Sequence, residues 1–176
     1  VGVAQALVVQ PGIEQPEFGP TMGAMVSELQ RDRAADMVGA AQKEGAQVAT
    51  GGHKMNIPGA FLEPTIVTHV TPDMTIANEE IFGPVLSVLK FSTDDEAIAM
   101  ANGTPYGLVS GVFTRNLNRA TAAARQLRAG QVFVNEWYAG GVETPFGGYG
   151  KSGYGREKGR EALWNYVQTK NIAIKL

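Results

Sequence analysis

Near the start of the chain, the pattern of hydrophobic and polar positions is typical of a helix. Between residues 26 and 44, the distribution of apolar side chains suits a helix with one apolar stripe. Gly45 follows as a natural C-terminal stop. The apolar stripe of this helix is predicted to contain Leu29, Ala34, Met37, Val38 and Ala41.

Downstream of this helix, short apolar segments alternate with segments of helical character. Strands are predicted within residues 47–52, 61–70, 85–91, 107–114 and 131–135, and helices within 92–102 and 116–130. Pro64 interrupts the second strand segment, because proline cannot donate a ladder hydrogen bond. The alternation predicts an α/β fold with a largely parallel sheet flanked by helices. The chain closes with a short helix and a β-rich tail.

Length and charge limit the class of protein and its partners. A chain of 176 residues suggests one domain, perhaps with a small appendage. A net charge of −2 with no basic block disfavours nucleic acid and anionic membranes as partners. No apolar run reaches the roughly 20 residues that span a bilayer, and the first ten residues have no positive charge. We therefore expect a cytoplasmic protein without a membrane segment.

The chain contains no cysteine, which excludes disulfides and a thiol nucleophile among these 176 residues. Its two histidines, His53 and His69, are far apart and lack neighbours of the kind that bind metals. We therefore expect no metal site. Because the chain begins at Val1 rather than Met, we also expect it to be a piece of a longer protein or a processed product.

The glycine-rich segment 145–157 contains two patterns that resemble nucleotide-binding motifs. A G-x-G-x-x-G pattern falls on Gly148, Gly150 and Gly153, but a dinucleotide fingerprint needs a strand just before it and a long helix after it. The nearest predicted strand ends near Asn135. The GKS sequence at 150–152 has Pro145 where a phosphate loop requires its first glycine. We expect a tight, irregular loop.

Five motifs, in this order, resemble the aldehyde dehydrogenase superfamily over essentially the full chain. They are NEEIFGPV at 78–85, TPYGLVSGVFT at 104–114, GQVFVN at 130–135, TPFGGYGKSGYGRE at 144–157 and YVQTKNIAIKL at 166–176. The resemblance implies an enzyme that oxidises an aldehyde to a carboxylic acid with NAD or NADP, through a cysteine thiohemiacetal and thioester. The residues leave the choice between NAD and NADP open.

The resemblance also implies which part of such an enzyme this is. Residues 1–165 are expected to be part of the catalytic domain, and residues 166–176 an oligomerisation strand that favours a homodimer or homotetramer. The catalytic cysteine, the general-base glutamate and the main cofactor domain are expected upstream of Val1. The chain by itself is then expected to be inactive. The alternative is a non-catalytic, self-associating module.

In the family, the second glutamate of the EEIFGP motif binds the ribose next to nicotinamide, and the phenylalanine two residues later contacts the nicotinamide. These positions are Glu80 and Phe82 here. Gln30 matches a position that reaches the cofactor, with Arg33 as its neighbour. Glu79 is expected to be structural. Taken without the resemblance, the residues favour a solvated acid at Glu80 and a core residue at Phe82.

The segment 135–146 corresponds to the family's substrate-anchoring loop. The resemblance implies that Trp137, Tyr138 and Phe146 line an apolar tunnel, although they could simply pack the loop onto its domain. Asn135 is expected to fix the loop. Residues 131–146 contain two glutamates and no lysine or arginine, which suits a cationic aldehyde.

Overall fold

The computed structural model describes residues 22–137 and 139–176. The chain divides into two compact units, the first ending at Phe91 and the second beginning at Ser92. The length alone had suggested one domain.

The first unit contains two helices and three strands among its described residues. Its elements are α1 (Glu28–Lys43), β1 (Gln47–Thr50), β2 (Thr65–Thr68), α2 (Thr75–Asn78) and β3 (Val85–Ser87). Helix α1 begins after Ser27, whose side chain accepts a hydrogen bond from the Gln30 N–H at 3.2 Å. It ends before Gly45, which has a φ of 108° as expected of a glycine stop.

The buried face of α1 differs from the predicted stripe at its first member. Ala34, Val38 and Ala41 are buried as predicted, but Leu29 is 82% exposed. A spacing of 3.6 residues per turn places Leu29 roughly opposite Val38, whereas Gln30 lies one turn before Ala34 on the same face. A polar side chain, half-buried, therefore continues the inward face of the helix.

The sheet of the first unit has the order β1-β2-β3. β1 and β2 are antiparallel with a bulge between Val48 and Thr50, and β2 and β3 are parallel. β2 begins directly after Pro64, so the predicted segment 61–70 is shortened as the proline requires. The central strand carries the most buried positions, with Val67 at 0% exposure.

The second unit repeats the alternation of helix and strand. Its elements are α3 (Asp94–Asn102), β4 (Val109–Val112), α4 (Leu117–Gln126), β5 (Gln131–Val134) and two 3₁₀ helices at Gly150–Ser152 and Arg160–Tyr166. β4 and β5 are parallel. Two of the three strand pairings in the described residues are parallel, which confirms the α/β prediction.

Helix α4 ends at Gln126 rather than at the predicted Gly130. The reason is the side chain of Asn102, which donates to the Gln126 carbonyl at 2.9 Å and accepts from the Arg128 N–H at 2.7 Å. These bonds satisfy backbone groups at the helix end that would otherwise lack partners.

The glycine-rich segment forms a short 3₁₀ turn at Gly150–Ser152, as expected of a tight loop. Residues 167–176 are exposed and form neither helix nor strand in this chain. A strand requires a paired neighbour, so the oligomerisation strand predicted for 166–176 stays a prediction. Tyr166 is the last residue of the preceding 3₁₀ helix. No helix within residues 22–137 and 139–176 is long and apolar enough to cross a membrane.

Candidate functional site

The EEIFGP motif forms an exposed loop between α2 and β3. Ile81 points inward and is 9% exposed, whereas the neighbouring Phe82 side chain is 74% exposed. Phe82 is therefore not the core residue that the motif alone favoured. Its φ of 51° is rare for a bulky residue. Such a conformation costs about 1–3 kcal/mol and persists only where neighbouring contacts maintain it.

Gln30 supplies such contacts from the first turn of α1. Its Nε2 donates to the carbonyl oxygen of Ile81 at 2.7 Å and to that of Phe82 at 3.1 Å. Because both acceptors are carbonyl oxygens, the nitrogen of the Gln30 side-chain amide, and not its oxygen, must point toward the loop. Both amide hydrogens are used, so only Oε1 remains for a cofactor. Direct contact between Gln30 and a cofactor stays a prediction.

Gly83 allows the loop to lie close to α1. A Cβ at this position would lie 3.0 Å from the Ala34 Cβ and 3.1 Å from the Met25 Cε. On the far side of the turn, the Val85 N–H donates to the Gly83 carbonyl at 2.8 Å, and the Thr65 N–H donates to the Pro84 carbonyl at 2.8 Å. These contacts fix the end of the loop to the sheet.

The loop borders an open groove of about 300 Å³. The groove is lined by Glu79, Glu80, Ile81, Phe82, Gly83 and Val85. This volume lies at the lower end of the range of roughly 300–1,000 Å³ seen for ligand pockets. One exposed aromatic side chain and two carboxylates are thus brought together at one surface.

The Glu80 carboxylate is exposed and makes no hydrogen bond or ion pair with the residues that the structure describes. The Glu79 N–H, by contrast, donates to the Thr75 carbonyl at 3.1 Å at the end of α2, consistent with a structural position. Arg33 is exposed, and no hydrogen bond or ion pair joins it to the loop within the described residues.

A neighbouring cation of α1 is engaged elsewhere. Arg31 Nε donates to Asp32 at 2.8 Å, and Lys54 Nζ lies 2.9 Å from the same carboxylate. A hydrogen bond from Arg31 is the main reason that the pKa of the Asp32 carboxyl lies below its usual value, and a hydrogen bond from Lys54 lowers this pKa further. The Glu80 carboxylate keeps its acceptor capacity available to a ligand.

The predicted substrate residues lie in the second unit, and Tyr138 falls outside the described residues. Trp137 is 62% exposed and packs its ring edge-to-face on Phe133, with centroids 6.1 Å apart. Its ring also covers Gly111, where a Cβ would lie 3.2 Å from it. Phe146 is half-buried and exchanges two backbone hydrogen bonds of 2.7 Å with Glu157.

Phe146 and Phe133 line one small pocket, and Trp137 is not part of its lining. The pocket has about 10 Å³ of free volume, close to the minimum of roughly 10–15 Å³ for one water molecule. This pocket is too small to hold a substrate. The tunnel lined by Trp137, Tyr138 and Phe146 stays a prediction.

Asn135 makes the contacts expected of a residue that fixes the loop. Its Oδ1 accepts from the Thr114 N–H at 2.7 Å and its Nδ2 donates to the Thr114 carbonyl at 2.8 Å. The side-chain amide thereby extends the parallel pairing of β4 and β5 by one step. Asn135 itself has a φ of 56°, a conformation that asparagine tolerates better than most residues.

Lys158 places a cation beside the substrate loop that the charge count of residues 131–146 did not include. Its Nζ lies 5.7 Å from the centroid of the Phe146 ring, although Lys158 falls outside the 131–146 window. A cation already lies over this aromatic face, so the absence of lysine in the window does not favour a cationic aldehyde there. The spacing of residues in the sequence did not predict that Lys158 lies near the Phe146 ring.

Family comparison agrees with the motifs. The model of the aldehyde dehydrogenase family matches residues 3–172, and the chain belongs to this family. An aldehyde dehydrogenase of Davidiella tassiana is 47% identical over 154 residues, which cover 88% of this chain and 31% of that protein. The betaine aldehyde dehydrogenase of Brucella anthropi is 46% identical over 159 residues, 88% of this chain and 33% of that protein.

Solved structures show the same similarity. The NAD+ complex of a Bacillus cereus aldehyde dehydrogenase has a TM-score of 0.88 and 42% identity, covering 96% of this chain and 34% of that one. A Staphylococcus aureus betaine aldehyde dehydrogenase in complex with NAD+ has a TM-score of 0.88 and 34% identity, covering 94% and 33%. The chain spans about a third of the length of these relatives.

Proposed function

We propose that this chain serves in an NAD(P)-dependent aldehyde dehydrogenase, in which the EEIFGP loop holds the nicotinamide end of the cofactor. The observation that carries the proposal is the groove of the first unit. There the carboxylate of Glu80, which has no partner among the described residues, and the outward-facing ring of Phe82 lie on one loop. Family membership and the NAD+ complexes of two relatives support the choice of ligand.

The chemistry of the donor set fits this ligand. An ionised carboxylate has two oxygens that can accept hydrogen bonds from two vicinal ribose hydroxyls. An exposed aromatic face can contact a flat ring. When bound, the nicotinamide supplies the acceptor for the hydride that leaves the substrate. The residues of this chain would orient that ring, since orientation of reactants lowers the barrier to reaction.

The nucleophile must come from outside these 176 residues, because they contain no cysteine. We propose that a cysteine upstream of Val1 forms the thiohemiacetal and thioester with the aldehyde, so that one difficult step becomes two easier ones. Trp137, Tyr138 and Phe146 would form one apolar wall against the substrate. A general-base glutamate and the rest of the cofactor site would also lie upstream.

Two further features of the intact enzyme belong to this proposal. The exposed apolar side chains of the C-terminal tail, Ile172, Ile174 and Leu176, would be covered in a homodimer or homotetramer in which residues 166–176 pair as a strand. A cytoplasmic location is supported by a 42% identical rat relative named as a cytosolic aldehyde dehydrogenase.

The purified 176-residue chain is expected to show no aldehyde oxidation. It has no thiol, and Glu80 and Phe82 alone can contribute only a minor part of cofactor affinity, so binding of NAD+ should be weaker than about millimolar, or about 4 kcal/mol. Absorbance of the reduced nicotinamide measures turnover, and calorimetry measures binding. The intact Bacillus cereus enzyme serves as the active control. Turnover above background, or micromolar binding, would contradict the proposal.

The alternative, a self-associating module without a catalytic role, is tested both on the purified chain and on the complete protein that contains it. Sedimentation of the chain with and without NAD+ measures its assembly. If the complete protein that contains this chain lacks a reactive cysteine and also assembles through residues 166–176, the module is the better description. A complete protein whose aldehyde oxidation is abolished by a thiol reagent excludes it.

A further inference from the structure

Among the residues that the structure describes, one side chain forms hydrogen bonds with the backbone of residues 80–82. Within the described residues, the only hydrogen bonds that these three residues make are those from Gln30 Nε2 to the carbonyls of Ile81 and Phe82. The flanking bonds, at Glu79 and at residues 83–85, hold the two ends of the loop and not its tip.

The two acceptors are consecutive carbonyls, and their positions determine which backbone torsions the Gln30 amide controls. The Ile81 carbonyl belongs to the peptide plane before the Phe82 Cα, and the Phe82 carbonyl to the plane after it. The torsions φ and ψ of Phe82 set the angle between these planes. A single nitrogen that binds both oxygens therefore fixes the conformation of Phe82, including its positive φ.

The position of Gln30 is itself well defined. Its own N–H is bound by the capping hydroxyl of Ser27, so the residue belongs to a fixed first turn of α1. Gln30 lies on the inward face of the helix, one turn before Ala34, against which Gly83 packs. The helix, the amide and the loop thus form one connected support for the Phe82 ring.

We propose that Gln30 is a positioning residue that keeps Phe82 at positive φ, so that the Phe82 ring and the Glu80 carboxylate face the same ligand. The inference rests on the function proposed for this loop. It assigns to Gln30 a role through the loop backbone in place of a direct contact with the cofactor. Without the amide, relief of the unfavourable torsion would turn the ring away from the groove.

Two substitutions separate positioning from direct contact. Gln30→Met keeps the length of the side chain and removes both donors, whereas Gln30→Glu keeps shape and polarity but replaces the donors with acceptors. A direct contact through Oε1 would survive in Gln30→Glu, because a carboxylate accepts hydrogen bonds from hydroxyls well. Positioning requires both variants to fail. Gln42→Met, the same change at an exposed position of the same helix, is the control.

The first measurement is structural and independent of any reaction. Crystal structures of the 176-residue chain are expected to show Phe82 at negative φ in both Gln30 variants, and unchanged in Gln42→Met. Thermal melts of the three variants confirm that each is folded. If Phe82 keeps its φ near 51° in a folded Gln30 variant, the inference is wrong.

The second measurement is kinetic, in the complete enzyme that contains this chain. Both Gln30 variants are expected to lower the rate of hydride transfer at least tenfold, with a smaller change in the KM for NAD+. Full activity in Gln30→Glu with loss in Gln30→Met would assign a direct contact and overturn the inference. If Glu80→Gln and Phe82→Ala also leave hydride transfer unchanged, the proposed function itself fails; if they impair it and the Gln30 variants do not, only this inference fails.

Discussion

Replacing Glu80 by glutamine is expected to slow hydride transfer about ten- to a hundredfold in the complete enzyme. The change preserves size but removes the charge of an acceptor, and a hydrogen bond to a charged group is worth about 1.5–3 kcal/mol. Glu79→Gln is the matched control, since the adjacent residue holds the end of α2 through its backbone N–H. Its effect is expected to be small.

Single-turnover kinetics measure the effect most directly, because they separate hydride transfer from release of the product. Loss of the ribose contact is expected to lower the rate of this step more than it weakens binding of the whole cofactor. Equal and small effects in Glu80→Gln and Glu79→Gln would remove Glu80 from the site.

The second large effect is expected in stability, for Gly130→Ala. A Cβ at Gly130 would lie 1.6 Å from the Gly147 carbonyl oxygen, so the backbone of one segment must move. Gly130 leads into β5, whereas Gly147 lies in the glycine-rich segment, and the close approach fixes one against the other. The substitution is expected to lower the free energy of unfolding by about 3 kcal/mol.

Gly39→Ala is the control for this prediction. Gly39 lies inside α1, and a Cβ there would meet no atom within 4 Å among the described residues outside the adjoining part of the helix. The same chemical change is expected to raise the free energy of unfolding by about 0.5–1 kcal/mol, since alanine favours the helix. Urea denaturation of both variants provides the comparison. A Gly130→Ala variant as stable as the original chain would show that the two segments are not packed as described.

Features determined by neighbouring residues could be predicted from the sequence. The start of α1 follows from the hydroxyl of Ser27 and its end from Gly45, both within a few residues of the helix. The late start of β2 follows from Pro64. The α/β alternation was also correctly predicted, because the period of apolar residues reflects which side of each element is buried.

Features determined by distant residues could not be predicted. The end of α4 depends on the Asn102 side chain, 24 residues before Gln126. The φ of Phe82 depends on an amide about 50 residues earlier in the chain. Lys158 reaches Phe146 only in the folded unit. A strand at residues 166–176 would depend on a sheet edge, and residues 22–137 and 139–176 provide none that pairs with it.

The candidate site was therefore predicted in part. The motif resemblance singled out Glu80 and Phe82, and the structure places both on one exposed loop, whereas their contact with a cofactor stays a prediction. The resemblance also singled out Gln30, but the hydrogen bonds from Gln30 to the loop were not predicted, because the apolar stripe was assigned to Leu29 and not to the face that includes Gln30. A polar residue in register with Ala34, Val38 and Ala41 was the signal available in the sequence.

A crystal structure of the complete enzyme with bound NAD+ tests the central claim most directly. The proposal predicts Glu80 carboxylate oxygens within about 2.5–3.0 Å of the hydroxyl oxygens of the nicotinamide ribose, with the Phe82 ring in contact with the nicotinamide. Nicotinamide ordered at another surface, with Glu80 and Phe82 still in solvent, would contradict it.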